Sequence, residues 1–216
     1  MPAPDPPPRG EETRAALIAA ALKLYGDNGF EATSTREIAA AADVNAAMIA
    51  YHFGGKEGLR AACADFVAER LRGIFGDAPE AETPQAARAA LSALLRAFIR
   101  RVVADEAARP LARFLLRELA DPSAAFARVY EAAFAPLHAR ACRLWAAATG
   151  AEPESETTRL SVFAMMAQPL YFRIARAPVL RRMGWPDIGP EQAAALEAII
   201  LGNLEAALDA ARRRAS

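Results

Sequence analysis

Apolar positions along the chain recur at three- and four-residue spacing, and no run sustains the two-residue alternation of a strand. Leu17, Ala20, Ala21, Leu24 and Tyr25 form one such stripe. It predicts a helix from about Glu11 to residues 26–29, with Phe30 packing just beyond. A second short helix starts at Ser34 or Thr35, carries Glu37 in its first turn to suit the dipole, and runs to about Ala42. After Asp43 and Val44, Asn45 is suited to cap a third helix through Phe53, which Gly54 and Gly55 stop. A fourth helix begins around Lys56 and continues through Leu59, Cys63, Phe66, Val67 and Leu71. Its pattern is lost at Gly76 and Pro79, the best candidate for a domain boundary.

Beyond that break, Thr83 and Pro84 form a cap and first-turn pair for a helix bearing Leu91, Leu94, Leu95, Phe98 and Val102. A segment from about Pro110 to Leu119 ends at Asp121 and Pro122. Ser123 can cap a helix towards Gly150, in which Pro136 imposes a kink or a junction. Another helix spans about 154–177 with Pro169 inside it, a short piece follows at 179–183, and residues 185–190 form a loop. A last helix runs from Glu191 to about Arg213. The expected fold is all-α, with about nine or ten helices.

Composition narrows the function more by exclusion than by assignment. The chain has 216 residues, 54% hydrophobic, 24% charged and 7% aromatic, a globular and alanine-rich mixture that favours helices. Lys plus Arg and Asp plus Glu each total 26, so net charge names no partner. Residues 1–60 carry Arg9, Arg14, Lys23, Arg36, Lys56 and Arg60 against Asp5, Glu11, Glu12, Asp27, Glu31, Glu37, Asp43 and Glu57, which is no basic patch. The opening MPAPDPPPRG reads as a disordered tail and not a signal peptide, and no apolar run has the length of a membrane span. A cytoplasmic protein is expected. Cys63 and Cys142 lack metal or redox spacing and read as core thiols. There is no HExxH, no Gly-rich phosphate loop and no GxSxG, and His52 and His138 are the two histidines. No enzyme, metal or cofactor is expected.

The second and third helices, joined by about three residues, have helix-turn-helix spacing. Ile38 and Ala42 share one face, Val44 plugs the turn, and Ile49 and Phe53 point inward. At about 100° per residue, Ala47 and Tyr51 then face outward, flanked by Met48 and Ala50. With Thr35, Ile38-Ala39, Ala42, Val44, Ile49, Tyr51-His52-Phe53, Lys56-Glu57 and Leu59, residues 11–59 resemble the N-terminal DNA-binding domain of TetR-type transcriptional regulators. The resemblance implies phosphate contacts from Thr35, Asn45, Tyr51, His52 and Lys56. Helix starts attract phosphate, and an ammonium at Lys56 would oppose the helix dipole unless a phosphate lay nearby. Two positions depart from the pattern: Asp43 stands where glycine is frequent, and Ala50 where an aromatic is. Ala46, Ala47 and Met48 can touch thymine methyls but make no bidentate bond to a base. Specificity is therefore expected to draw also on Arg36, on Arg9 or Arg14, and on DNA shape.

RFLLRELADPSAAF (113–126) and YFRIARAPVLRRMGW (171–185) are similar to the CecR-like subgroup of that family. The family implies dimerisation through the helices at 154–177 and from 191 onward. Leu196, Ile199, Ile200, Leu204 and Leu208 form an apolar stripe there, with Ala195, Gly202 and Ala206 permitting close approach; the same stripe could serve the core of one protomer. A small-molecule effector pocket is expected at Phe98, Arg117, His138, Met165, Gln168, Tyr171 and Phe172, with Gln168-Pro169 the best lead. Arg173, Arg176, Arg181 and Arg182 suit an anion or a solvated face. The expected division is a tail at 1–10, a three-helix DNA-binding domain at 11–57, and a helical ligand-binding and dimerisation domain at 58–216. The expected function is a sequence-specific regulator binding double-stranded operator DNA, a homodimeric repressor released by its effector. The alternative is a helical protein-interaction adaptor without DNA binding, which would tolerate substitution of Tyr51 and Lys56.

Overall fold

The computed structural model describes residues 9–75 and 81–215, and every regular element among them is helical. In order these are α1 (Arg9–Asn28), α2 (Thr35–Ala41), α3 (Ala47–Phe53), α4 (Lys56–Phe75) and α5 (Pro84–Phe98). A π-helical stretch (Ile99–Val103) and a 3-10 turn (Glu106–Ala108) lead to α6 (Arg109–Ala120) and α7 (Ala124–Val129). A second π-helical stretch (Tyr130–Phe134) precedes α8 (Ala135–Thr149), α9 (Glu156–Ile174), α10 (Arg176–Met183) and α11 (Pro190–Ala215). Pro136, in the first turn of α8, thus marks a junction rather than a kink. The expected break at Gly76 and Pro79, the tail to residue 8, and the Arg9 and Val102 side chains lie outside the described residues. No described helix is long and apolar enough to cross a membrane.

The chain divides into two compact units. The first comprises Met1–Glu69 with Arg109–Ala132. α1 is its spine, and it buries a wider arc than one stripe: Leu17, Ile18, Ala21, Leu22 and Tyr25 are all buried, whereas Ala20 and Leu24 are half-buried. The reason is that α6, as well as α2, packs on α1. The Tyr25 ring lies 5.3 Å from that of Phe30 and 6.4 Å from that of Phe114. Gly26 lets α6 approach, since a Cβ there would stand 2.9 Å from Arg113 Cβ and 3.2 Å from the Phe114 nitrogen.

Polar contacts close the same unit. Arg117 donates from Nε to the Gly26 carbonyl at 2.8 Å and from Nη2 to the Asp27 carbonyl at 2.7 Å. A cation thereby covers the free carbonyl end of α1. Glu118, only 3% exposed, accepts from Arg60 of α4 (Nη2 at 2.8 Å) and from the Ser123 hydroxyl that also caps α7. Cys63 is buried and free, and burial pushes its thiol well above the ordinary range.

The second unit comprises Arg70–Ala108 with Ala133–Ser216. Thr83 caps α5 and Pro84 opens it, as expected. The core gathers Leu91, Leu94, Leu95 and Ile99 with Leu144 and Trp145 of α8, Val162 and Met165 of α9, and Ile200, Leu204 and Leu208 of α11. Each such buried side chain contributes roughly 1.5–3 kcal/mol. A smaller cluster holds Val103, Ile188 and Leu196, with Phe172, Leu180 and Trp185 packed against it. The α11 stripe therefore belongs to the protomer's own core, with one exception: Ile199 is 63% exposed. Alongside it, Arg88 pairs with Glu205 (2.7 Å) and Asp209 (2.5 Å), and Arg96 with Glu197 (3.0 Å), fastening α5 to α11.

Candidate nucleic-acid interface

The start of α2 is set by Ser34, which settles the choice between Ser34 and Thr35. Its hydroxyl accepts from the Glu37 N–H at 3.2 Å, and the Glu37 carboxylate accepts from the Ser34 N–H at 2.7 Å, a reciprocal capping box. Those bonds, the backbone one first, hold the Glu37 carboxyl below its ordinary value. Thr35 becomes the first helical residue, half-buried, and Arg36 beside it is exposed. Helix starts leave backbone N–H groups without carbonyl partners, and a side chain here can join them on an anion.

The turn to α3 needs a left-handed residue, and Asp43 supplies it at φ 54°. Asparagine and aspartate are the side chains that tolerate this region best after glycine. The Val44 N–H then returns to the Ala39 carbonyl at 3.0 Å. Asn45 Oδ1 accepts from the Ala47 N–H at 2.8 Å, and Asn45 and Ala46 carbonyls accept from Met48 and Ile49. The first turn of α3 is thus tight: Ala46 stands at the N-cap position without a side-chain bond, and the expected cap Asn45, one residue earlier, supplies the bond to the Ala47 N–H. Ile49, 1% exposed, anchors the helix, so Ala47, Ala50 and Tyr51 face solvent, with Tyr51 79% exposed. Met48 and Ala46 are half-buried on the flank.

Three side chains depart from the simplest expectation. His52 stacks edge-on to Tyr51 at 5.0 Å, with its Nε2 enclosed and no partner among the described residues. Gly10 of α1 lies beside that ring, where a Cβ would stand 3.9 Å from Cε1. Lys56 places Nζ 4.2 Å from the centre of the Phe30 ring, and Arg60 places Cζ 4.3 Å from it. The negative ring face therefore accounts for a cation at the positive end of α4 without any phosphate. Arg14 lies inside α1 and is exposed, its guanidinium 5.5 Å from the Phe53 ring centre, so it belongs to a helix and not to an arm.

One residue that spacing did not single out controls the pose of α3. A Cβ on Gly58 would fall 1.8 Å from the Phe53 carbonyl oxygen, so the first turn of α4 rests directly on the end of α3. The signal was a glycine inside a helical pattern, which often marks close backbone approach.

The seven candidate effector residues are not gathered into one pocket. Arg117 belongs to the first unit, where its guanidinium caps α1. In the second unit, Met165 and Gln168 line an open groove of about 290 Å³ together with Trp145, Ala164, Asn203 and Ala207. Asn203 Nδ2 donates to Gln168 Oε1 across it at 2.9 Å. His138 stacks on Phe163 at 4.0 Å with Nε2 3.3 Å from the Arg159 carbonyl. Tyr171 is 59% exposed, Phe98 is half-buried, and Phe172 packs against both core clusters. Spacing places these residues on their helices, but only packing decides which of them share a cavity.

Around that groove, α9 exposes Leu160, Phe163, Ala164, Ala167, Tyr171 and Ile174, and α11 exposes Ala195, Ala198, Ile199, Gly202, Asn203 and Ala206. Arg214 also lines the groove, and Arg159 of α9 is exposed, so the face is mostly apolar with a few charges.

Residues 17–63 match the model of the tetR family of bacterial regulatory proteins, and residues 87–211 match that of the C-terminal domain of the HTH-type transcriptional dual regulator CecR. The HTH-type transcriptional dual regulator CecR of Shigella flexneri is 38% identical over 193 residues, spanning 85% of this chain and 86% of the relative. Two solved structures share the fold at identities that show the fold alone. AibR, in complex with isovaleryl coenzyme A and operator DNA, has a TM-score of 0.65 at 17% identity over 88% of this chain and 96% of that one. A TetR-like transcriptional regulator from Rhodococcus sp. RHA1 has a TM-score of 0.59 at 20% identity over 97% and 96%. These matches make the chain a DNA-binding transcriptional regulator and not an enzyme. The chain belongs to the TetR family, in its CecR-like subgroup.

Proposed function

We propose that the chain is a homodimeric repressor that grips operator DNA through residues 11–57 and is released by a small molecule bound within residues 58–216. The observation that carries the DNA reading is the outward row of Ala47, Ala50 and Tyr51 beside the capped start of α2. Thr35, Asn45, Tyr51 and Lys56 hold phosphates, His52 orients Tyr51 by its edge contact, and Arg36 reaches the groove rim. Ala46, Ala47 and Met48 meet thymine methyls. Phosphate contacts position the unit, while the alanines restrict direct reading of bases.

Gel shifts on the intergenic DNA beside the chain's own gene test this. Tyr51→Ala with Lys56→Ala is expected to weaken binding at least about tenfold on every sequence and to flatten the salt dependence by about 0.9 per lost phosphate contact. Wild-type affinity in that double variant, or wild-type binding that ignores salt, would defeat the proposal.

The dimer reading rests on the exposed, mostly uncharged face of α9 and α11 in a chain with 24% charged residues. Close approach of the small residues Ala195, Gly202 and Ala206 favours a second copy as its occupant. Such a dimer would set two recognition helices roughly 34–36 Å apart, one DNA turn. Ile199→Glu is expected to convert the dimer to monomer in light scattering and to reduce operator affinity with it. A wild-type chain that is monomeric at micromolar concentration would contradict it. The effector reading is supported by AibR, whose structure holds isovaleryl coenzyme A with operator DNA.

A further inference from the structure

The open groove of the second unit holds a polar pair whose hydrogen bonding is only half used. Asn203 Nδ2 donates to Gln168 Oε1 at 2.9 Å, a single bond between two primary amides. Each such amide has one carbonyl oxygen and two N–H groups. Neither side chain makes another bond among the described residues, so the Gln168 Nε2 hydrogens and Asn203 Oδ1 stand spare. Beside them Trp145, Met165 and Leu204, all buried members of the core, give the groove its apolar wall. Its volume of about 290 Å³ is at the small end of ligand sites, which run to roughly 300–1,000 Å³.

The other polar groups lining the groove are accounted for. Ser161 gives its hydroxyl proton to the Thr157 carbonyl at 2.7 Å and can only accept from anything else. Arg214 follows Arg212 and Arg213 in the last turn of α11, where cations suit the helix dipole. The amide pair therefore sets what the groove selects, and it offers one donor beside one acceptor. A carboxylate only accepts, and would set its charge against Asn203 Oδ1. An ammonium only donates, and would meet the Gln168 hydrogens. A purely apolar occupant would shut water away from both spare groups and leave them with the full cost of desolvation. A carboxamide satisfies both at once: its oxygen accepts from Gln168 Nε2 while its N–H donates to Asn203 Oδ1, closing a ring of three amides.

We propose that this groove binds a small uncharged ligand made of a flat apolar ring and a carboxamide. Gln168 and Asn203 read the amide, and the ring lies against Trp145, Met165 and Leu204. The groove opens on the face that the dimer reading gives to a second copy, so that copy completes the site. A ligand held there acts on the angle between the two copies, and with it on the spacing of the recognition helices. This link to operator release rests on the effector reading above and gives that reading a place and a chemical class.

The test follows thermal unfolding of the full DNA-free chain at neutral pH, with benzamide, benzoate or toluene titrated into the millimolar range. Benzamide is expected to raise Tm in a saturable way and to bind about tenfold or more tightly than the other two, which share its ring and lack the amide. Gln168→Leu is expected to weaken benzamide by a similar factor, and Asn203→Ala supplies the same comparison at an exposed position if the first variant does not fold. Ala207→Phe, also exposed and lining the groove, is expected to remove the benzamide shift by filling the space. The proposal is overturned if benzamide leaves the wild type unchanged, if benzoate or toluene matches it, or if the variants keep the wild-type response. Gel shifts with and without benzamide separate the two readings. Binding that leaves operator affinity unchanged upholds the site and removes its effector role, whereas a wild type that binds operator and not benzamide defeats this inference alone.

Discussion

Gly58→Ala is expected to lower Tm and to remove operator binding, although alanine in a helix interior ordinarily stabilises by about 1 kcal/mol. The added Cβ would stand 1.8 Å from the Phe53 carbonyl oxygen. That atom is backbone at the end of the recognition helix, so the clash cannot be relieved by turning a side chain. α4 and α3 must separate by more than an ångström, which shifts the whole outward row of Ala47, Ala50 and Tyr51. Overpacking of this kind costs about 1–3 kcal/mol, and a rigid neighbour puts it at the upper end. Gly73→Ala is the matched control, since it lies on the same helix with nothing within 4 Å of an added Cβ. It is expected to leave binding intact and stability equal or higher. Melting curves and gel shifts on the pair decide the matter: equal behaviour of the two variants would show that the α3–α4 contact does not set the reading surface.

Glu118→Ala carries the second large effect. The carboxylate is 4% exposed and its partner Arg60 17%, so truncation strands a largely desolvated guanidinium and the Ser123 hydroxyl together. Breaking a buried pair in this way destabilises by about 3–5 kcal/mol, whereas replacing both partners with apolar groups is often neutral. Arg60→Met with Glu118→Leu is accordingly expected to recover most of what Glu118→Ala loses in denaturant midpoint. A single variant as stable as wild type, or a double variant worse than the single, would contradict a buried pair at this place.

Signals that act within a few residues were readable along the chain. Ser34 with Glu37, Asn45 before Ala47, Thr83 with Pro84 and the cap at Ser123 all involve groups two or three positions apart, and their chemistry is the same in any fold. The outward turn of Ala47 and Tyr51 followed from placing Ile49 inward. What pattern did not disclose was partnership over distance. Lys56 is out of place at a helix start until Phe30 is seen beneath it, and Arg117 looks like a ligand anchor until its carbonyl partners, 90 and 91 residues away, are found. Periodicity likewise told which side of α11 is apolar but not what covers it. Leu196, Ile200, Leu204 and Leu208 turned to the protomer core, leaving Ile199 among small residues outside.

The attachment of α6 and α7 to the first unit bears on how the protein is made. During synthesis α1 to α3 leave the ribosome early, yet Tyr25 acquires the Phe114 ring and Arg60 its carboxylate only after residues 109–132 follow. Contacts of such sequence separation form late, because the loop between them must first be closed. Through the interval in which residues 70–108 are translated, the nascent reading unit exposes the α1 flank that α6 will cover, a surface suited to chaperone capture. A regulator assembled in this order completes its reading unit only once the first stretch of its second half, residues 109–132, exists.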